Sequence, residues 1–161
     1  MEGRFEDTNK LFEEPVSPVD YVVTEHRDDY DAREIMWELL DDEFDVRAST
    51  AQILGRFQPW HNGHQALFDR ALEKEGQVAL MVRDMTPDED NPFHVLDVCQ
   101  NLRLHLAKYA GKVRIFAAPN ITRISYGRAV GYTIEQEHFD KEIEDISATE
   151  IREQMRNDTN D

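Results

Sequence analysis

The amino-acid sequence predicts an α/β fold in which helices cover a doubly wound parallel sheet, with a small strand–helix extension at the N-terminus. Two observations carry this prediction. From residue 51 onward, apolar strand segments alternate with amphipathic helical segments in the order β-α-β-α-β. The second of these strands, residues 77–83, is apolar almost throughout, which is typical of a strand covered on both faces. The alternation favours parallel pairing with right-handed crossovers, and hence the doubly wound class.

Residues 1–48 form a predicted acidic extension with one strand and one helix. Residues 1–50 hold 16 acidic and 5 basic side chains, a net charge of −11. Val19–Thr24 has the β-branched residues of a short strand, and Asp29–Asp42 has the spacing of an amphipathic helix. The apolar side of that helix consists of Ile35, Met36, Leu39 and Leu40. Because one strand and one helix bury too little surface to fold alone, the extension must pack on the rest of the chain or on a partner chain.

Residues 49–156 form the predicted α/β domain, and residues 157–161 a frayed tail. The predicted elements of the domain, in chain order, are a strand at 51–55, a helix at 62–74, a strand at 77–83, a helix at 91–109 and a strand at 112–117. We expect Asn91 to cap the second helix, with Pro92 at the first helical position. Ligands of such folds bind beyond the carboxyl ends of the strands, so the prediction points to three loops, at 56–64, 84–93 and 118–132.

Charge and composition exclude several classes of function. The formal charge of −16 repels phosphate backbones and anionic lipid, so we expect neither nucleic-acid nor membrane binding. No apolar run approaches the roughly 20 residues that span a bilayer. Because Cys99 is the only cysteine, we expect a reducing compartment, the cytoplasm. Association with a second copy stays possible, since the extension needs a surface on which to pack.

The first candidate for chemistry is the loop that follows the first strand and opens the first helix. His61 and His64 are three residues apart with Gly63 between them, so both imidazoles can reach one phosphate group. Backbone N–H groups and the positive end of the helix dipole favour an anion at this point, and glycine allows it to approach the backbone. A helix-capping role and a transition-metal site are the alternatives. Two histidines give only two ligands and no cluster at metal spacing adds others, so we expect no protein-held metal.

The second candidate lies near the C-terminus. Ser147 followed three residues later by Glu150 is the pattern of a capping box, which opens a short helix. Thr149 and Arg152 then place a hydroxyl and a guanidinium beside this helix N-terminus. If the two segments converge, they form a cradle suited to a polyphosphate.

The two segments together resemble a known family. Gly55–His64 resembles the HxGH signature of the nucleotidyltransferase superfamily, and Ile146–Arg152 resembles its ISxTxxR signature. The GRFQP form of the first segment is most similar to the small adenylyltransferases that act on nicotinamide mononucleotide. Phe12–Pro18 and the strand and helix after it weakly resemble the carboxyl end of an adenylylsulfate kinase domain. Because the chain has no Gly-rich phosphate loop with its lysine, we do not expect the extension to phosphorylate anything.

The resemblance implies a Rossmann-like nucleotidyltransferase fold and a reaction. An acceptor phosphate attacks the α-phosphorus of a nucleoside triphosphate, and pyrophosphate leaves without a covalent enzyme intermediate. Mg²⁺ is expected to arrive with the nucleotide. The implied catalytic residues are His61, His64 and Arg152, and the implied nucleotide-binding residues are Gly55, Arg56, Phe57, Gly63, Ser147 and Thr149.

The acceptor and the base stay open at this point. Acceptor contacts are predicted for four residues, each of which has a plain structural alternative in packing, capping or surface pairing: Trp60, Asp84, Arg123 and Arg128. The first hypothesis is adenylyl transfer from ATP to a small phosphorylated metabolite, with nicotinamide mononucleotide as the first candidate. The second is cytidylyl transfer from CTP to a phosphorylated sugar, polyol or phosphonate. The third is a non-catalytic nucleotide-binding or interaction module.

Overall fold

The computed structural model describes residues 43–159, and these contain the three predicted strands in one parallel sheet. The strands are β1 (Ala51–Gly55), β2 (Val78–Arg83) and β3 (Val113–Ala118). Their order across the sheet is β1-β2-β3, and Ile53, Leu80 and Ile115 lie side by side in the register. The prediction of a parallel α/β sheet is confirmed. The predicted strand at 19–24 and the predicted helix at 29–42 lie outside the described residues.

The helices that connect the strands also follow the predicted order. Helix α1 (Asn62–Glu75) joins β1 to β2, and α2 (Val95–His105) joins β2 to β3, followed by a short 3₁₀ turn at Ala107–Tyr109. Two further helices close the chain, α3 (Lys141–Glu144) and α4 (Ala148–Thr159). Helix α1 ends at Gly76, whose left-handed φ of 86° lets its N–H reach the carbonyl oxygen of Leu72. Helix α4 extends into the predicted frayed tail as far as residue 159.

The predicted helix at 91–109 is wrong at both ends. Its N-cap is His94 instead of Asn91, since the His94 Nδ1 accepts a hydrogen bond from the N–H of Leu96 at 3.1 Å. Asn91 is buried and belongs to the preceding turn, where its backbone and side-chain N–H groups both donate to the Asp88 carboxylate. The helix ends at residue 105, and only the 3₁₀ turn continues toward residue 109.

Both connecting helices pack on the same face of the sheet. Phe68 of α1 and Val98 and Leu102 of α2 form one core with the inward side chains of all three strands: Ile53, Val78, Leu80, Val82, Val113 and Ile115. The residues that alternate with these point the other way and form what we call the open face of the sheet: Gln52, Leu54, Ala79, Met81, Arg83, Arg114, Phe116 and Ala118. Within residues 43–159 no helix covers the open face, so the second layer of a doubly wound fold stays a prediction. None of the helices in the described part of the chain is long and apolar enough to cross a membrane.

Residues 119–140, the connecting segment, carry the chain from β3 back along α1 without regular structure. Lys74 of α1 pairs with Glu135 and Glu137. Arg70 of α1 donates to the carbonyl oxygen of residue 138, and its guanidinium lies 4.0 Å from the ring centre of Phe139. The segment thereby delivers α3 and α4 to the carboxyl-terminal edge of β1.

β1 ends in a tight reversal in which Phe57 folds back over Gly55. Phe57 has a left-handed φ of 51° and is buried. A Cβ atom on Gly55 would lie 2.7 Å from two ring atoms of Phe57. Glycine is therefore required at residue 55 by the protein's own ring, and the ring position requires an unfavourable backbone conformation at residue 57.

Gly55→Ala should lower the free energy of unfolding by about 1–3 kcal/mol, because the added methyl group forces the Phe57 ring out of its packed position. Urea unfolding followed by Trp fluorescence measures the change. Gly127→Ala is the matched control, since a Cβ there has no neighbour within 4 Å. Equal midpoints for Gly55→Ala and the parent protein would contradict this packing.

Candidate active site

Two histidines build the N-terminus of α1. His61 is the N-cap, and its Nδ1 accepts hydrogen bonds from the N–H groups of Gly63 at 3.0 Å and His64 at 3.4 Å. The His64 Nδ1 in turn accepts from the backbone N–H of His61 at 3.1 Å. The two rings stack with their centres 3.7 Å apart. The pair thus forms a reciprocal capping box, so the capping role named above as an alternative to phosphate binding is present.

The capping changes which atoms of this helix start can bind an anion. The first-turn N–H groups of Gly63 and His64, predicted to be available to an anion, are taken up by His61. Because each Nδ1 acts as an acceptor, the proton of each neutral ring lies on Nε2. Burial lowers the pKa of His61. Burial, and after it the neighbouring His61, lowers the pKa of His64 from 6.5 to about 3. The two side chains therefore offer a ligand two neutral Nε2–H donors.

Gly63 is crowded by the capping ring of His61. A Cβ atom on this residue would lie 2.8 Å from Cε1 of His61, whereas the carbonyl oxygen of Ile143 in α3, at 3.5 Å, would be in ordinary contact. The missing side chain makes room for the capping ring. Gly63 was predicted to let a phosphate approach the backbone. The structure adds a packing reason for glycine at this position, which the spacing of the motif does not reveal.

Arg152 brings the second motif to the first. The Ser147 half of the predicted capping box is confirmed, since the Ser147 hydroxyl accepts from the N–H of Glu150 at 3.4 Å. Arg152, one turn further on, is only 6% exposed; it donates through Nη1 to the carbonyl oxygen of Gln58 at 2.8 Å and through Nη2 to the hydroxyl of Thr149 at 3.2 Å. Gln58 lies three residues before His61, so segments 94 residues apart in sequence are in direct contact.

Gln58 is the residue that sequence reasoning missed. Its buried side-chain amide donates to the carbonyl oxygen of Phe93 at 2.9 Å and accepts from the N–H of the same residue at 3.0 Å. It therefore fastens the loop after β1 to the loop after β2, while its own carbonyl receives Arg152. The sequence gives no sign that a loop glutamine is buried, because its burial depends on hydrogen bonds to backbone groups that are distant in sequence.

An acidic loop, Asp88-Glu89-Asp90, faces the two arginines of the site. The Asp90 carboxylate lies 4.0 Å from Nη2 of Arg152, and Arg56 donates through Nη1 to the Asn91 side chain at 3.3 Å. Hydrogen bonds, first from the backbone of Asn91, lower the pKa of Asp88, and Arg56 acts in the same direction. Among the described residues, no group of three or more His, Cys, Asp and Glu side chains could hold a metal ion. An anion that binds Arg152 must therefore compete with Asp90.

The four predicted acceptor residues differ in where they lie relative to His61, His64 and Arg152. Trp60 is only 6% exposed, and its ring centre lies within 5.3 Å of those of Phe57 and His64, which favours the packing alternative named for it above. Asp84 lies at the carboxyl end of β2, half-buried and close enough to Cys99 to add to the rise in that thiol's pKa. Arg123 and Arg128 are exposed in the connecting segment, and within residues 43–159 neither guanidinium is hydrogen-bonded or ion-paired. No described contact links them to His61, His64 or Arg152.

Comparison with known proteins gives little beyond this geometry. The sequence matches no protein-family model. It also matches no curated protein. One similar solved structure is a bifunctional NMN adenylyltransferase/ADP ribose pyrophosphatase from Francisella tularensis, 29% identical, with a TM-score of 0.39 over 45% of this chain and 22% of that chain. The chain thus spans less than a quarter of that protein's length, and neither fold nor activity follows from a similarity at this level.

His64→Gln should reduce the pH dependence of stability. The pKa of folded His64 is depressed to about 3, so the unfolded state takes up a proton first as the pH falls below 6.5. The stability that is present above that value is then lost, at up to about 1.4 kcal/mol per pH unit for this residue. Glutamine at the third helical position keeps a capping acceptor and does not titrate. Urea unfolding at about pH 7 and about pH 5.5 should show a loss about 1 kcal/mol smaller in the variant. Equal losses would contradict the burial of a neutral imidazole.

Asp90→Asn should strengthen the binding of inorganic triphosphate about 2- to 5-fold at low salt without divalent metal, because a competing carboxylate leaves Arg152. Titration calorimetry measures the affinity. Glu89→Gln removes the same charge from the neighbouring residue, which has no described contact with Arg152, and should have a smaller effect. Identical gains in both variants would assign the effect to overall charge.

Proposed function

We propose that this protein is a nucleotidyltransferase that moves an adenylyl group from ATP to a small phosphorylated metabolite and releases pyrophosphate. The observation that carries the proposal is the contact between Arg152 and the carbonyl oxygen of Gln58, which puts the ISxTxxR segment against the HxGH loop. A guanidinium from one helix start and two Nε2–H donors from another suit a chain of phosphates.

In the proposed reaction an oxygen of the acceptor phosphate attacks the α-phosphorus of ATP. The bond between that phosphorus and the bridging oxygen to the β-phosphate breaks, and its electron pair leaves with pyrophosphate. No side chain is bonded to phosphorus at any stage. His61 and His64 donate through Nε2–H to oxygens at the α-phosphate, where negative charge increases. Since both rings stay neutral, they stabilise this charge without giving up a proton.

The β- and γ-phosphates are assigned to the start of α4. Arg152 uses one hydrogen bond on each terminal nitrogen within the protein, which leaves further N–H groups for phosphate oxygens. The Ser147 and Thr149 hydroxyls accept hydrogen bonds from the protein and keep their own protons to donate. Arg56, the residue after β1, is assigned a further contact with the phosphates. Mg²⁺ enters as part of the Mg–nucleotide substrate and needs few ligands from the protein.

For the acceptor, the resemblance of Gly55–His64 to adenylyltransferases that act on nicotinamide mononucleotide makes this compound the first to test. Arg123 and Arg128 are the proposed acceptor contacts, because they are exposed guanidinium groups in the connecting segment beyond the carboxyl end of β3. Cytidylyl transfer from CTP to a phosphorylated sugar, polyol or phosphonate uses the same phosphate contacts and forms the second arm of the test.

The test incubates the full chain with each of the four common nucleoside triphosphates, Mg²⁺, pyrophosphatase and a panel of phosphorylated acceptors. Phosphate release should depend on one nucleotide and one acceptor class together. A nucleotide that raises the melting temperature without turnover would instead support a non-catalytic binding module. If no nucleotide causes phosphate release and none raises the melting temperature, both the enzyme and the binding-module proposals are contradicted.

His61→Asn and His64→Gln should each lower kcat/KM about 100-fold, because each removes an Nε2–H donor at the α-phosphate. Both should unfold close to the parent protein, since asparagine keeps an N-cap acceptor and glutamine keeps the reciprocal one. His61→Ala is the matched control, which loses the donor and also about 1 kcal/mol of stability with the cap. Full activity in His61→Asn would leave the histidines with a capping role alone.

A further inference from the structure

The open face of the sheet carries apolar side chains on its central strand, and no described helix covers them. Ala79 and Met81 lie on β2, the central strand, and are partly exposed, whereas Val78, Leu80 and Val82, which alternate with them, are 0% exposed. Exposure on a central strand is not an effect of the sheet edge. Parallel sheets occur almost only with both faces covered, because their strands are apolar on both sides.

The charged side chains of the open face are of one sign. Among its residues only Arg83 and Arg114 carry charge, and both are positive in a chain of formal charge −16. The Nε–H group of each is buried and has no hydrogen-bond partner among the described residues. Buried donors of this kind require acceptors, and carboxylates are the strongest partners for a guanidinium.

The described chain begins at this face. Phe44 is 8% exposed, and its ring centre lies 4.8 Å from the guanidinium carbon of Arg114 on the open face. The side chain of Glu43 lies against Gly111 just before β3, where a Cβ atom would approach its carboxylate to 2.8 Å. The first described residues of the chain therefore lie beside β3 and the open face.

We propose that residues 29–42 form a helix that packs on the open face and supplies the second layer of the sheet. These residues hold six acidic side chains and one basic one, a net charge of −5, which complements Arg83 and Arg114. A helix of this length is about 21 Å long, close to the roughly 17–20 Å of the strands beneath it. Its apolar side would cover Leu54, Met81 and Phe116 and consists of Ile35, Met36, Leu39 and Leu40.

A second copy of the sheet is a poorer occupant of this surface. A second open face would bring arginines as its only charged side chains, so it would supply no carboxylate to the buried Nε–H groups of Arg83 and Arg114. The N-terminal helix brings carboxylates and is already joined to the edge of the face by Phe44.

Cysteine pairs in the full chain test the proposal. Met81→Cys is combined in turn with Met36→Cys and Leu39→Cys, at the centre of the apolar side, and with Glu34→Cys on the opposite side as the control. Native Cys99 does not interfere, because it is buried and burial raises its pKa to about 12. Mild oxidation followed by non-reducing electrophoresis and mass spectrometry records disulfides within and between chains.

At least one of the two test pairs should form an intramolecular disulfide about tenfold faster than the Glu34→Cys control, since only residues facing the sheet come within bonding distance of residue 81. Circular dichroism of each reduced variant establishes that it is folded. Equal rates in all pairs, or no disulfide in any folded variant, would overturn the proposal. Efficient disulfide-linked dimers of Met81→Cys alone would overturn it in favour of a second copy on the open face.

Discussion

The hydrogen bond from Arg152 to the carbonyl oxygen of Gln58 is the constraint on which the candidate site depends. It joins the last helix to the loop after β1, while the Gln58 side chain joins that loop to the backbone of Phe93. One buried glutamine therefore holds three separate segments at the same edge of the sheet. Because the partners are a guanidinium and two backbone groups in a buried place, loss of any one of them leaves another polar group unsatisfied.

The histidine pair shows how one group can meet a structural and a chemical requirement through different atoms. Nδ1 of each ring caps the helix, which fixes the tautomer and turns Nε2–H outward as the group available to a ligand. Stacking at 3.7 Å and burial keep both rings uncharged, because two adjacent imidazolium groups would repel each other in a place that solvates charge poorly. Rigid neutral donors at a helix start are preorganised for an anion that gains charge during a reaction.

Apolar runs and strand–helix alternation were sufficient to predict the parallel sheet, because β2 buries Val78, Leu80 and Val82 whatever its neighbours are. The meeting of the two motifs followed from their family resemblance and not from spacing. Finer features depended on side-chain partners that a linear pattern does not encode. Asn91 has the form of a helix cap, but Asp88 engages it first, and the conspicuous Trp60 is enclosed by rings from its own loop. For the same reason the buried role of Gln58 was not predictable.

The connecting segment is attached to α1 mainly by the side chains of Arg70 and Lys74, which lie at the surface. Exposed ion pairs contribute little stability and weaken further as salt screens them. Rising salt concentration therefore weakens the connection between β3 and α4 without weakening the apolar core of the sheet. The position of α4 at the site depends more on the buried contact of Arg152 with Gln58 than on these surface charges.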